Sequence, residues 1–218
     1  MKYFIAALTV MVIVSHAYAG EHYLPDVKGQ IYILDGSVDI LGKSTPSKKI
    51  IKVMDNYTDT ESGEVWIVHD ITISGLKSES VFRYYAIRSD GVYCMAECAS
   101  LDKKPDRLKE PYLVFPLPPE NGKSWNINIS GKAELNMTYT IEDFESSIIL
   151  GDKTFHCVKV TGVGVASVLG MKIPVTQEKY FHSAHGVIMD TLIQKFSEKN
   201  EAKHEFRLSS VDLEKKEL

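Results

Sequence analysis

The feature that most constrains this chain is a strict alternation near its middle. Ala133, Leu135, Met137, Tyr139 and Ile141 interleave with Glu134, Asn136, Thr138, Thr140 and Glu142. Successive side chains of an extended strand point to opposite faces, so this period of two predicts a strand with one buried and one wet face. Less strict runs of the same kind occur at Ile50–Met54, Glu64–Ile73, Ser80–Arg88, Trp125–Ile129, Phe155–Val165, Lys172–Phe181, Val187–Phe196 and His204–Val211. Between them stand Ser62-Gly63, Ser74-Gly75, Asp90-Gly91, Asn121-Gly122, Ser130-Gly131, Gly151-Asp152 and Gly170. Asp90-Gly91 is the strongest hairpin signal, because both residues tolerate positive φ.

Evenly spaced strands without amphipathic helices between them predict a mainly β fold. The expected form is an antiparallel meander curled into an open barrel or half-barrel, with few short helices. Ala99–Pro111 is charged and interrupted by Pro105, and reads as a loop or short helical excursion. Pro116, Pro118 and Pro119 exclude a central strand locally and mark a waist. One β domain over 20–213 accounts for the chain, with a half-repeat boundary near 100–120 and a charged tail at 214–218. The repeat is suggested by Leu24-Pro25…Gly29-Gln30-Ile31-Tyr32, which echoes Leu117-Pro118…Gly122-Lys123-Ser124-Trp125.

Residues 1–19 read as an export signal. Lys2 precedes an apolar stretch from Phe4 to Val14, and Ala17-Tyr18-Ala19 ends it in the small-x-small pattern of a cleavage site. The stretch is shorter than the ~20 residues that cross a hydrocarbon core as a helix, which disfavours an uncleaved anchor. Cleavage is expected after Ala19, no cysteine precedes Gly20 to take a lipid, and no later segment is long and apolar enough to span a bilayer as a helix. The expected location is the periplasm or the medium. A formal charge of −4, with lysine pairs scattered at 48–49, 103–104 and 215–216, argues against nucleic acid. With 44% hydrophobic and 25% charged residues, the chain can bury a core.

Three cysteines, Cys94, Cys98 and Cys157, leave at least one thiol unpaired within the chain in an oxidising compartment. Cys94 and Cys98 are spaced to close a small disulfide loop if Met95–Glu97 turns. If that segment is extended, their α-carbons stand ~13 Å apart, beyond the ~7 Å reach of a bridge. Cys157, between Phe155 and Val158, reads as core filler.

The remaining motifs supply no chemistry. His182 and His185 converge only if their segment turns, and three or four ligands at zinc spacing are not evident, so no metal is expected. Gly122-Lys123-Ser124 lacks the upstream glycine of a phosphate loop, Leu117 standing there. Gly162-x-Gly164 precedes a strand where a dinucleotide motif needs a helix. Glu142, Asp143 and Glu145 read as solvated charges at a strand end. Asn56-Tyr57-Thr58, Asn128-Ile129-Ser130 and Asn136-Met137-Thr138 fit the glycosylation pattern, which matters only in a eukaryotic secretory route. Neither an enzyme nor a cofactor is expected. Val160–Met171 is twelve residues without one charge, rich in Gly and Val; its plain reading is a core hairpin turning near Leu169-Gly170, and its functional reading an apolar lip. Trp66, Phe82, Tyr84, Tyr85, Tyr93, Trp125, Tyr139 and Phe144 form an aromatic set suited to the concave side of a curved sheet. Trp66, Tyr84, Trp125 and Tyr139 are the candidate ligand contacts; packing explains the same residues equally well.

Four landmarks, Tyr23-Leu24-Pro25, Phe115-Pro116-Leu117…Gly122-Lys123-Ser124-Trp125, Thr154-Phe155-His156-Cys157-Val158-Lys159-Val160 and Tyr180…Gly186-Val187-Ile188, together resemble the TapB-like family of exported bacterial proteins of unknown function. The chain departs from that pattern at Ile31-Tyr32 in place of tryptophan, at Asp152-Lys153 in place of Ala-Gly, and at His185 and Ile188. The resemblance implies an open, strongly curved sheet similar to the lipoprotein-carrier half-barrels of the bacterial envelope, and no reaction. Two roles follow as expectations: binding a lipid or other apolar or amphipathic ligand in the curved sheet, or docking another envelope protein through a sheet edge.

Overall fold

The structure is a computed structural model, and describes residues 22–213 apart from 76–77, 131–133, 169 and 199. The export segment 1–19, the tail 214–218, Gly131, Ala133 and Leu169 therefore lie outside the described residues. Thirteen strands follow in chain order: β1 (Gln30–Ile40), β2 (Lys43–Val53), β3 (Tyr57–Thr58), β4 (Val65–Ser74), β5 (Glu79–Arg88), β6 (Gly91–Cys98), β7 (Asp106–Pro116), β8 (Ser124–Ile129), β9 (Glu134–Leu150), β10 (Lys153–Val168), β11 (Met171–His182), β12 (Gly186–Lys195) and β13 (Glu201–Leu213). All ladders are antiparallel, and the described residues contain no helix, so the few short helices expected are not found there.

The strand order is β7-β6-β5-β4-β2-β1-β13-β12-β11-β10-β9-β8, with β3 paired to the start of β4. Two six-strand meanders thus join through β1 and β13, paired from Gln30 opposite Leu213 to Ile40 opposite Ala202 with one shift of register between Ile33 and Leu34. The outer ends, β7 and β8, come back side by side without pairing in the ladder, giving a nearly closed twelve-strand barrel. The proline-rich stretch after Phe115 is the corner that joins these two edges. It lies at the barrel's seam.

Inward and outward positions follow the period of two. On β9, Met137, Tyr139 and Ile141 are buried, and on β11 so are Ile173, Val175 and Phe181. Rings meet across the interior: Phe115 on β7 lies 4.6 Å, centroid to centroid, from Phe181 on β11. Leu34, Ile51, Val53, Ile71 and Phe206 fill the side where the two meanders join. Burying such side chains contributes roughly 1.5–3 kcal/mol each, which holds a sheet whose seam lacks a ladder.

The residues before β1 close one end. Tyr23 stacks on Phe115 at 4.5 Å, Leu24 is buried in the main core, and the Tyr23 amide donates to the Ser183 carbonyl at 3.0 Å. His69 Nε2 donates to the Pro25 carbonyl at 2.7 Å, since that oxygen can only accept. Pro25 in turn lies against Gly186, whose φ is +65° and where a Cβ would stand 2.5 Å from Pro25 Cδ. Two of the landmark motifs are therefore one packing unit, a plug on its seat.

Three local expectations are corrected. Asp106–Pro116 is a strand, although Leu108 to Pro111 bulge out of its ladder opposite Met95 alone. Glu142, Asp143 and Glu145 lie within β9, which runs on to Leu150 and turns at Gly151-Asp152. Val168 pairs with Met171, so the hairpin turns between them as read, but Val163 faces outward and Met171 stands at the strand end, both exposed, while Ala166 and Ile173 are buried.

Candidate functional site

Trp125 and Tyr139 lie on the inner face and stack with centroids 5.6 Å apart. Trp66 and Tyr84 do not join them. They belong to a separate cluster on the outer face of β4, β5 and β6, with Val68, Ala86, Ala96 and Cys98, and Tyr57 of β3 packs against it. Trp66 is fully provided for there: its Nε1 donates to Glu64 Oε2 at 3.0 Å, and the Arg107 guanidinium lies 5.4 Å over its ring. Tyr84 meets Cys98 Sγ at 3.8 Å, and Tyr57 at 5.5 Å edge-on. The four candidate contacts therefore do not share one concave wall. Tyr85 beside Tyr84 points inward, so adjacent aromatics on β5 serve opposite faces.

The same geometry removes the disulfide. Tyr85 pairs with Cys94 but Tyr84 with Ala96, so Met95 is a bulge residue that reverses the facing of everything after it. Cys94 is buried in the inner core and Cys98 in the outer cluster, and all three cysteines are thiols. The segment is extended and the sheet itself lies between the two sulfurs. Burial pushes the Cys94 thiol up to about 11 and the Cys157 thiol likewise to about 11.

Inside the barrel a band of polar side chains crosses the apolar core. Lys49, His69, Arg83, Glu97, Gln177, Lys179, Asp190 and His204 all stand at inward positions of their strands. Tyr139 Oη donates to Gln177 Oε1 at 2.6 Å, and Gln177 Nε2 donates to Asp190 Oδ1 at 2.6 Å. Lys49 Nζ stands 4.0 Å from Asp190 Oδ2, and Arg83 Nε donates to Glu97 Oε1 at 2.8 Å. Lys179 Nζ lies 5.0 Å over the Tyr139 ring. Burial pushes both lysines below their usual range against the pull of Asp190, and Arg83 adds to the lowering of each. Burial lowers His69 to about 4, with the Pro25 carbonyl opposing and Arg83 and Lys49 assisting.

A cavity of about 200 Å³ opens beside this band. Arg83, Tyr85, Tyr112, Trp125, Tyr139 and Lys179 supply its polar lining, and aliphatic side chains of β7, β8, β9 and β10 with Phe181 supply the rest. Trp125 is 8% exposed, and among the described residues its Nε1–H meets no acceptor. Gly162 makes room for this arrangement: a Cβ there would stand 2.5 Å from Tyr139 Cε1. The volume is below the ~300–1,000 Å³ of sites that enclose a drug-sized molecule.

The cavity borders the seam. A groove of about 530 Å³ lies between the bulged part of β7 (Arg107 to Glu110, Tyr112) and the end of β8 (Asn128, Ile129) with Ser130. Tyr112 and Ile129 line both spaces. The Leu108–Pro111 bulge keeps β7 from laddering with β8 here, and Pro111 lacks an amide donor.

Lys179 and Arg83 were not among the sequence candidates, although their positions carried a signal. Lys179 continues the inward series Ile173, Val175, Gln177, and Arg83 sits two residues before inward Tyr85. A cation at an inward position is costly unless something answers it. His182 and His185 are brought together by the β11–β12 turn, with rings stacked at 4.6 Å and Phe155 edge-on to both.

No family model matches the chain, and no curated protein matches it in sequence. Two solved structures share its fold. One is described as a candidate exported protein with a YmcC-like fold, from Bacteroides fragilis: TM-score 0.56, 13% identity, covering 88% of this chain and 99% of that one. The other is described as a candidate lipoprotein from Parabacteroides distasonis: TM-score 0.55, 12% identity, with the same 88% and 99% coverage. At such identities the likeness shows the fold.

Proposed function

We propose that this chain is an exported, non-enzymatic protein of the bacterial envelope that holds a small amphipathic ligand inside its barrel, admitted through the seam between β7 and β8. The observation that carries this reading is the cavity of about 200 Å³, with a buried indole N–H that meets no acceptor among the described residues, separated from the groove at the seam only by the shared walls of Tyr112 and Ile129. Among the described residues the cavity lining offers no carboxylate, imidazole or thiol as acid, base or nucleophile, which favours binding over catalysis. Export is supported by the signal-like segment 1–19 and by the descriptions of the two structural neighbours as exported protein and lipoprotein. The TapB-like motifs point the same way. Two of them, Tyr23-Leu24-Pro25 and Gly186, form the plug and its seat, and Phe115 and Trp125 of a third meet from β7 and β8 with centroids 6.4 Å apart.

A second reading is favoured by one observation. Among the described residues the outer edge of β8 has no ladder partner, and a strand of another envelope protein can pair with it. Native mass spectrometry of the mature protein from its own compartment, followed by denaturation and organic extraction, separates the two. A reproducible extra mass that leaves on denaturation and extracts into solvent supports the ligand. A bare chain that cross-links to another envelope protein through β8 overturns it in favour of the edge.

A further inference from the structure

Resting on the binding reading above, we propose that the ligand carries a single carboxylate, seated among Lys179, Arg83 and the indole N–H of Trp125, on a short aliphatic or aromatic body that occupies the apolar part of the cavity and the seam.

The donors and acceptors of the cavity are unbalanced. Trp125 Nε1, Lys179 and Arg83 can only donate hydrogen bonds, and among the described residues no carboxylate or amide oxygen lines the space. Of the three tyrosines, Tyr139 already donates to Gln177. A ligand that fits must bring acceptors. Trp125, Lys179 and Arg83 line this one cavity of about 200 Å³, and Trp125 and Lys179 each pack against the Tyr139 ring, the indole at 5.6 Å and the ammonium at 5.0 Å.

Charge sets the valence. The inner band holds Lys49, Arg83 and Lys179 against Asp190 and Glu97, three cations to two carboxylates. Asp190 is shared, receiving a hydrogen bond from Gln177 on one oxygen and facing Lys49 with the other. One more negative charge balances the band. A dianionic head would exceed it, at a steep cost in a low-dielectric interior. Burial lowers the affinity of Lys179 for its proton, as expected of a cation whose counter-ion is shared. The apolar share of the wall, from Val114, Ile127, Ile129, Leu135, Val160 and Phe181, calls for a hydrocarbon body. About 200 Å³ admits a short one, with the groove at the seam to take any excess.

The test is calorimetric titration of the mature protein, stripped of extractable material, with octanoate, octanol and octyl phosphate at pH 7.5. The expected result is saturable one-to-one binding of octanoate, with octanol and octyl phosphate each about tenfold weaker or more, the effect of one charge-assisted hydrogen bond. Lys179→Met and Trp125→Phe each weaken octanoate about tenfold, while Lys179→Met leaves octanol unchanged. Lys179→Met also keeps or raises the melting temperature, because it removes a buried cation, so its loss of binding is not a loss of fold. Equal affinity for octanoate and octanol overturns the head-group assignment while the binding cavity stands. Tighter binding of octyl phosphate overturns the single charge. Failure of all three probes to bind overturns the cavity reading itself.

Discussion

His69 makes the folded protein sensitive to mild acid, by an amount that follows from its burial. The ring is 2% exposed, spends its Nε2 proton on the Pro25 carbonyl, and faces the cations Arg83 and Lys49. Burial, opposed by the Pro25 carbonyl and helped by those two charges, holds it near 4 in the native state, against ~6.5 in the unfolded chain. Between those values the unfolded state binds a proton that the native state does not. Stability from this group is therefore complete above pH 6.5 and drains away as pH falls toward 4. Proton linkage over that gap gives a loss of about 2.5 kcal/mol between pH 7.5 and 4.5. The assay is urea unfolding of the wild type and of His69→Gln at pH 7.5, 6.0, 5.0 and 4.5. Glutamine retains an amide donor for Pro25 but does not titrate. Other groups with shifted affinities, such as His182, His185, His204 and Glu64, are present in both proteins and cancel in the difference. The wild type should lose about 2.5 kcal/mol more than the variant over this range. A difference that stays flat within about 0.5 kcal/mol would refute the buried, neutral histidine.

Three further outcomes follow from the packing. The thiols of Cys94, Cys98 and Cys157 should be inert to an aromatic disulfide reagent in the native state and all react after denaturation; a chain two mass units light before reduction would show a bridge. Phe115→Ala should cost about 3–5 kcal/mol, as expected for deleting a buried ring, since Phe115 touches Tyr23, Trp125 and Phe181. Limited proteolysis should then clip the segment before β1 first, and equal protection there would contradict the plug. Gly186→Ala should cost about 1–3 kcal/mol in denaturant unfolding, combining left-handed strain with the displacement of Pro25; a neutral result would mean Pro25 is not seated on Gly186.

How far the fold was legible depends on what each segment buries. β9, β10 and β11 show their inner faces directly, because Met137, Tyr139, Ile141, Val160, Val175 and Phe181 alternate with residues that face solvent. β7 was hidden because its Lys109-Glu110-Pro111 bulge reads as loop, and that same bulge keeps the seam open. Glu142 to Glu145 hid the far half of β9 in the same way: a charged, exposed stretch interrupts the alternation before Ile148 and Leu150 resume a half-buried face. The aromatic candidates split because period-two reasoning carries a facing along one strand but cannot compare strands without their register. Residue type alone suggests the concave face for Trp66 and Tyr84, and the structure gives them an outer core of their own. Bulges defeat parity altogether. Nothing in Cys94 to Cys98 announces that Met95 steps out of the ladder and turns the two thiols to opposite faces. Lys179 is the opposite case, legible yet passed over, a charge standing where the alternation calls for an apolar residue.

The measurement that tests the central claim most directly uses the two tryptophans as reporters of the two faces. In Trp66→Phe protein only Trp125, on the cavity wall, fluoresces; in Trp125→Phe protein only Trp66, in the outer cluster, remains. Titration with 8-bromooctanoate should quench Trp125 saturably, and leave Trp66 at the level set by free quencher in solution. Saturable quenching of Trp66 with Trp125 untouched would place the ligand on the outer face and contradict the account.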